Sequence, residues 1–398
     1  MTGNPWTILN YAFRPFFLLG ALFSIVALML WIVSLHGGTW AQASPDPVLW
    51  HAHEMLFGFG LAIVAGFLMT AVATWTNRPA LSGPMLGALV MTWLAGRLAM
   101  APGVPLPAAA VAVADMLFPV LFAALAAREI LGGASRRNFG IAVAMALFAS
   151  LNLLFHLGRA AIWPGADAVG ITLSAYLLLL LITLIGGRII PSFTANWLRS
   201  NGGKDLPVGR PWIERTLLAV MAAAGIADTL AVNGVGVPPV AVAGLALGTS
   251  VLHASRLAGW RGMAARAEPL VGVLHVAYAW LPIGFLLLAL TYLGLPMPRS
   301  AALHALTMGC VGVMVLAVTT RVSLGHTGRA LTAAPLTVAA YVALNAAVLV
   351  RILSPVGAYL SLIDVAATGW IAAYGLFLWV YWPILTGPRA DGKPERRR

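Results

Sequence analysis

Charge is scarce in this sequence. Only 9% of its 398 residues are Asp, Glu, Lys or Arg, while 61% are hydrophobic and mean hydropathy is +0.91. An ordinary soluble domain carries about 25% charged residues, so a water-soluble globular chain is excluded and a membrane protein is indicated. Cysteine is almost absent. The single Cys310 excludes an intramolecular disulfide framework and any cysteine-based zinc or iron–sulfur centre. Lysine and arginine are missing from Met1 to Phe13, and the first apolar run, about 16–35, exceeds the 7–15 residues of a signal-peptide core. That run reads as a retained first helix. The excess of base over acid, 24 against 12, would point to nucleic acid in a soluble chain; here it raises the positive-inside rule first.

What is abundant is apolar sequence. Twelve runs stand out, at about 14–36, 49–74, 84–101, 108–131, 139–160, 168–190, 213–232, 238–257, 270–293, 300–321, 333–353 and 359–385. Gly, Pro and charged residues punctuate them, as at Arg78-Pro79, Trp163-Pro164-Gly165 and Pro296-Met297-Pro298. The expected fold is an all-α integral membrane protein of about 12 transmembrane helices, forming one polytopic domain over 1–398. With both termini cytoplasmic, only Arg97, Arg159, Arg299 and Arg351 of the 24 basic residues fall on the outer side. The segment 386–398 is then a basic cytoplasmic tail, ending in Arg396 to Arg398 near anionic lipid, not a nucleic-acid site. A long connection, about Pro191 to Trp212, divides the runs six and six, with candidate halves 1–200 and 201–385. One hint of a repeat is that the second and tenth runs both open with a histidine followed five residues later by glycine, His53 with Gly58 and His304 with Gly309.

An ionisable side chain at the centre of a membrane helix costs about 2.5–3.5 kcal/mol on insertion scales, so the positions of such groups carry the functional signal. Of eight histidines, His36, His51, His53, His156 and His304 fall toward the outer ends of their runs, and His253, His275 and His326 toward the inner ends. Imidazoles from the second, fifth and tenth runs at similar depth make a metal or haem site the sharp hypothesis. Interfacial histidines and a proton relay are the plain ones. At 100° per helical residue His51 and His53 diverge by about 200°, so they cannot share one metal if both are helical. Asn152, one turn before His156, is placed to orient that imidazole. Met308, one turn after His304, offers a thioether on the same face, although core filling is its commoner role. Near the inner histidines, Arg188 and Arg321 suit haem propionates or simply the positive-inside rule. The acids Glu54, Asp115, Asp228 and Asp364 fall on the outer half, as a proton route or as partners of Arg97, Arg159 or Arg351. Glycines 58, 60, 66, 309 and 312 allow close packing, against a flat cofactor or against another helix.

Several stretches resemble the NnrS proteins, polytopic bacterial membrane proteins associated with nitric oxide metabolism and nitrosative stress and described as containing haem and copper. The resemblance is carried by Phe13-Arg14-Pro15-Phe16-Phe17, Trp50-His51-Ala52-His53-Glu54-Met55 with Gly66-Phe67, Gly96-Arg97, Asn152 through His156, Gly187-Arg188 with Asn196-Trp197, His304 through Gly309, and Thr320 through Arg329. It implies b-type haem and copper, and by position makes His51, His53, His156, His304 and His326 candidate ligands. His253 and His275 rest on the topology alone.

The function expected on that basis is a haem- and copper-containing protein of the bacterial cytoplasmic membrane that binds or turns over nitric oxide, with an unknown electron donor. It leans toward an oxidoreductase with no assigned catalytic residue. His53 and His304, with Arg188 and Arg321, are taken as the haem side, and His51 and His156 as partners of a second metal. The rivals are a proton-coupled secondary transporter and a non-catalytic carrier or assembly factor for haem, copper or nitric oxide. The segment after the second run, Thr76 to Gly83, lacks the Gly, Asp and multiple-Arg pattern of major-facilitator transporters.

Overall fold

The computed structural model describes residues 5–38, 46–133 and 138–393. Arg136 and Arg137, and the tail residues Arg396 to Arg398, lie outside the described residues. Among those described, every regular element is helical. Twelve long helices follow one another: α1 (Phe13–Leu35), α2 (Pro47–Thr76), α3 (Gly83–Ala99), α4 (Ala108–Leu131), α5 (Phe139–Arg159), α6 (Ala166–Ser200), α7 (Pro211–Val232), α8 (Pro239–Ala258), α9 (Pro269–Tyr292), α10 (Arg299–His326), α11 (Pro335–Leu353) and α12 (Tyr359–Thr386). Eleven of them are long and apolar enough to cross a membrane. The exception is α3, whose 17 residues span about 26 Å at 1.5 Å per residue, slightly short of a hydrocarbon core of about 30 Å.

Proline sets several starts. Pro47, Pro211, Pro239, Pro269 and Pro335 occupy first-turn positions, where a missing N–H costs nothing. Asp46 adds a side-chain cap, accepting from Leu49 N at 3.0 Å, and Glu268 accepts from Leu270 N at 3.1 Å. Within helices proline is tolerated at positions 119, 191, 282 and 383. Beside one of them, Ser250 Oγ of α8 donates to Pro282 O of α9 at 2.7 Å, tying the two helices together.

Two boundaries depart from the hydropathy reading. The sixth helix does not stop at Pro191 but continues to Ser200, so the expected connection from Pro191 to Trp212 shrinks to the residues between Ser200 and Pro211. Its extension is polar, which hydropathy cannot register as helix, and Thr194 Oγ1 bonds back to Ile190 O at 2.8 Å across the proline turn. Likewise α10 runs on to His326. Both α2 and α10 also contain a π-helical segment, Glu54–Gly60 and Ala305–Gly312, which shifts the face of every later residue relative to an ideal 100° progression.

By its internal contacts the chain divides into two units, one of 1–174, 319–331 and 374–398 and the other of 175–318 and 332–373. In the first unit, α1 packs on α2 where Gly66 removes a side chain: a Cβ there would lie 2.9 Å from Phe16 Cβ. The Phe13 amide donates to Thr70 Oγ1 at 3.2 Å, and the fully buried Arg14 donates to Leu385 O and Gly387 O at 2.6 and 2.9 Å, closing the end of α12. In the second unit, Trp280 of α9 lies on Gly309 of α10 and donates to Asn345 Oδ1 of α11 at 3.0 Å. Gly312 takes the Trp370 ring in the same way. Gly58, Gly66, Gly309 and Gly312 are therefore helix–helix contacts, the ordinary membrane role of glycine.

Candidate metal centre

The polar core of the first unit is assembled from α2, α3, α4 and α5. His53 and Glu54 stand where α2 enters its π-helical segment. Opposite them, Gly96 lets α4 approach closely, because a Cβ there would lie 3.1 Å from Asp115 Cα. Arg97 Nη1 donates to Glu54 Oε1 at 2.6 Å and its Nη2 donates to Asp115 Oδ1, so one guanidinium bridges two carboxylates. Asn152 and His156 of α5 complete the set, donating to Asp115 Oδ2 at 2.7 Å from Nδ2 and 2.8 Å from Nε2. His53 Nε2 lies 2.8 Å from Asn152 Oδ1 and 3.2 Å from Asp115 Oδ2, and its Nδ1 lies 2.8 Å from Glu54 Oε1. His53, Glu54, Asp115 and Asn152 are at most 1% exposed.

Burying this much charge requires balance. Both nitrogens of His53 face acceptors, so in this arrangement the ring donates from both and is cationic; with Arg97 it offsets Glu54 and Asp115. A coordinating metal can take the place of the proton on His53 Nε2. One ligand atom each from His53, Asp115 and His156 lie within 4.8 Å of one another. Metal–nitrogen and metal–oxygen bonds of about 2.0–2.2 Å place neighbouring donors roughly 3.3 Å apart, so a small inward adjustment closes the set on one ion. Two imidazoles and a carboxylate suit copper, iron or zinc.

Nearly the whole chain, residues 7–389, matches the family model described as NnrS protein. The chain belongs to the NnrS family. No curated protein matches it. The buried His53, Asp115 and His156 donors form a group that could hold a metal ion.

The other sequence candidates are distributed as follows. His51, half-buried, stacks on Trp31 of α1 with ring centroids 4.7 Å apart, while His53 enters the cluster. Asn152 bonds to His53 and Asp115 and so orients His53, rather than His156 as its spacing led one to expect. Glu54 and Asp115 are tied to Arg97, whereas Asp228 sits in a separate brace, accepting from Tyr176 at 2.8 Å, Tyr292 at 2.7 Å and Arg299 Nε at 2.9 Å. Asp364 is half-buried on α12 and Arg321 half-buried on α10. His304 is half-buried, its Nδ1 donating to Ser300 O at 2.7 Å. His326 lies beside the rings of Tyr11 and Phe13, and its carbonyl accepts from Arg389 at 2.8 Å.

His253 and His275 share a different pattern. His253 is fully buried, with Nδ1 2.8 Å from the Tyr278 hydroxyl and Nε2 without a partner. Tyr278 in turn accepts from Arg256 at 2.9 Å, and Arg256 is gripped by Glu214. Gly187 makes room for that guanidinium, which with Arg188 and Glu214 lines a cavity of about 90 Å³. His275 donates from Nε2 to Thr194 Oγ1 at 2.8 Å, because that hydroxyl has spent its own proton on Ile190 O; its buried Nδ1 has no partner. These hydroxyl and Glu–Arg–Tyr partners come from distant parts of the chain, and no spacing in the sequence announces them.

Proposed function

We propose that this protein is a haem- and copper-containing membrane protein that binds or turns over nitric oxide, with a copper centre formed by His53, His156 and Asp115. The observation that carries this reading is the charge-balanced donor set buried between α2, α4 and α5. Arg97 holds Asp115 from the side opposite the two imidazoles, which fixes the carboxylate that faces the ion. His53 is closed in by Glu54, Asn152 and Asp115, a setting for a small ion rather than for a flat porphyrin.

For haem, the protein must offer a buried imidazole nitrogen that it does not itself occupy. His253 Nε2 meets this requirement, its ring oriented through Nδ1 by the Tyr278 hydroxyl, whereas His275 Nδ1 is packed against Gly262, where a Cβ would lie 2.6 Å away. A haem held by His253 would supply nitric oxide binding and one-electron exchange. The chain's own part is to hold His253 through Tyr278, Arg256 and Glu214. The topology we favour has twelve spans with both termini cytoplasmic, in the bacterial inner membrane, because it leaves only Arg97, Arg159, Arg299 and Arg351 outside.

The test is an optical spectrum of detergent-purified protein, oxidised and reduced, with and without nitric oxide, alongside iron and copper analysis of the same sample. A Soret band that shifts with nitric oxide, accompanied by copper, is expected. A metal-free, featureless spectrum from cells grown with ample haem and copper would overturn the reading and favour a transporter.

A further inference from the structure

The cavity between α6, α7 and α8 lies wholly within the second unit and has a lining of two kinds. Leu184 of α6 with Leu217 and Leu218 of α7 make one part, and Arg188, Glu214 and Arg256 make the other. Its volume of about 90 Å³ is several times the roughly 10–15 Å³ that a single water needs. One wall depends on a missing side chain. Gly187 leaves the space that the Arg256 guanidinium occupies, and a Cβ at that position would collide with it.

The polar part of the lining is net positive, two guanidiniums against one carboxylate. Arg256 engages both oxygens of Glu214, Oε1 from Nε at 2.7 Å and Oε2 from Nη2, and its Nη1 donates to Thr183 O at 2.8 Å and to the Tyr278 hydroxyl at 2.9 Å. That pair cancels and stands as a fixed wall, so the surplus charge is that of Arg188. The depth of the cavity is marked from outside. Trp212, two residues before Glu214, is 57% exposed, and Arg210 and Arg215 on either side of it are exposed as well. An exposed indole among basic residues belongs at the headgroup level of a bilayer. In the topology favoured above this is the cytoplasmic leaflet, the one that carries anionic lipid.

We propose that this cavity binds the phosphodiester of an anionic membrane lipid, with Arg188 pairing the phosphate and Leu184, Leu217 and Leu218 receiving the start of an acyl chain. An amphipathic lining at the headgroup level matches an amphipathic ligand. Guanidinium is the cation best suited to phosphate, because its planar fork meets two oxygens at once. Charge selects the type of phosphate. A phosphodiester carries a single negative charge, equal to the surplus in the lining, whereas a phosphate monoester carries about −1.5 to −2 at neutral pH and would leave charge uncompensated beside Glu214. A zwitterionic lipid would leave the surplus on Arg188 unanswered. The assignment is independent of the metals proposed above.

Native mass spectrometry of the detergent-purified full-length protein, titrated with phosphatidylglycerol or with phosphatidylethanolamine, tests it. The wild type should bind phosphatidylglycerol about fivefold or more tightly than phosphatidylethanolamine. Arg188→Gln should lower phosphatidylglycerol affinity about tenfold, and Arg188→Lys by less, since an ammonium keeps the charge without the fork. Leu218→Trp fills the cavity without altering charge and should lower affinity too, whereas Arg266→Gln, at an exposed base outside the cavity, should leave it unchanged. Excess inorganic phosphate should not displace the lipid. Equal binding of the two lipids, an affinity that neither Arg188→Gln nor Leu218→Trp lowers, or displacement by inorganic phosphate overturns the proposal. Should Arg188→Gln not fold, Arg188→Lys and Leu218→Trp decide by the same criteria.

Discussion

Asp115→Asn is the most informative single change. Asp115 is 1% exposed and accepts from Arg97, Asn152 and His156 while lying 3.2 Å from His53 Nε2, so removing its charge leaves two buried cations with only Glu54 to answer them. Breaking one side of a buried ion pair costs about 3–5 kcal/mol, and the retained amide oxygen places the expected loss toward the lower end of that range. Arg97→Gln strands Glu54 and Asp115 in the same manner. Because each single variant already forfeits the shared contact, the double variant should be less harmful than the sum, with a coupling of about 1.5–3 kcal/mol. Metal-stripped protein in mixed micelles, titrated with sodium dodecyl sulfate and followed by tryptophan fluorescence, measures this without interference from bound ions. Asp205→Asn, at an exposed carboxylate paired with Arg261 outside the helices, is the control and should cost less than about 1 kcal/mol. Single losses at Asp115 and Arg97 no larger than that control, or additivity within about 0.5 kcal/mol, would refute the charge-balanced network.

Other consequences are equally specific. Gly58→Ala places a Cβ 2.4 Å from Phe23 Cε1 and 3.0 Å from Arg97 Nη1, so it should lower thermal stability by about 1–3 kcal/mol and disturb the metal centre, whereas Gly87→Ala, 3.6 Å from Leu9 Cδ1, should not; thermal unfolding in detergent compares them. Asp228→Asn removes the acceptor shared by Tyr176, Tyr292 and Arg299 and should destabilise the second unit by about 3 kcal/mol or more without altering metal content. At the C-terminal end, the hydrogen bond from Arg389 holds the Asp391 carboxyl down at about 2. The direction is that of a depressed acid: the contact is fully present above the ordinary carboxylate range and is lost as pH falls through about 2, so proteolytic protection of the 389–393 segment should persist at pH 4. Loss of protection already between pH 5 and 4 would contradict it.

The sequence carried the helices well and the contacts poorly, for identifiable reasons. Apolar runs located all twelve helices, since length and hydropathy are local properties, but the polar extension of α6 beyond Pro191 was invisible because proline and polarity both argue locally for a stop. The π-segments of α2 and α10 depend on hydrogen-bond register, and hydropathy is blind to register. At the proposed metal centre, His53, His156, Asp115 and Arg97 each stand out in the sequence as costly residues in apolar surroundings. Their assembly does not, because α2, α3, α4 and α5 bring them together from positions as far apart as 53 and 156. Asn152 is spaced one turn from His156 yet serves His53 across helices, which intrahelical spacing cannot reveal. Tyr278, Thr194 and Glu214 are common residue types with no local pattern, so their orientation of His253, His275 and Arg256 emerges only from packing.

Pulsed electron paramagnetic resonance of the copper(II)-loaded protein tests the central claim most directly, because modulation from the remote imidazole nitrogens counts coordinated histidines. Two equatorial imidazoles are expected in the wild type and one in His156→Gln. A copper signal with no imidazole modulation, or one unchanged by His156→Gln, would contradict a centre built on His53, His156 and Asp115.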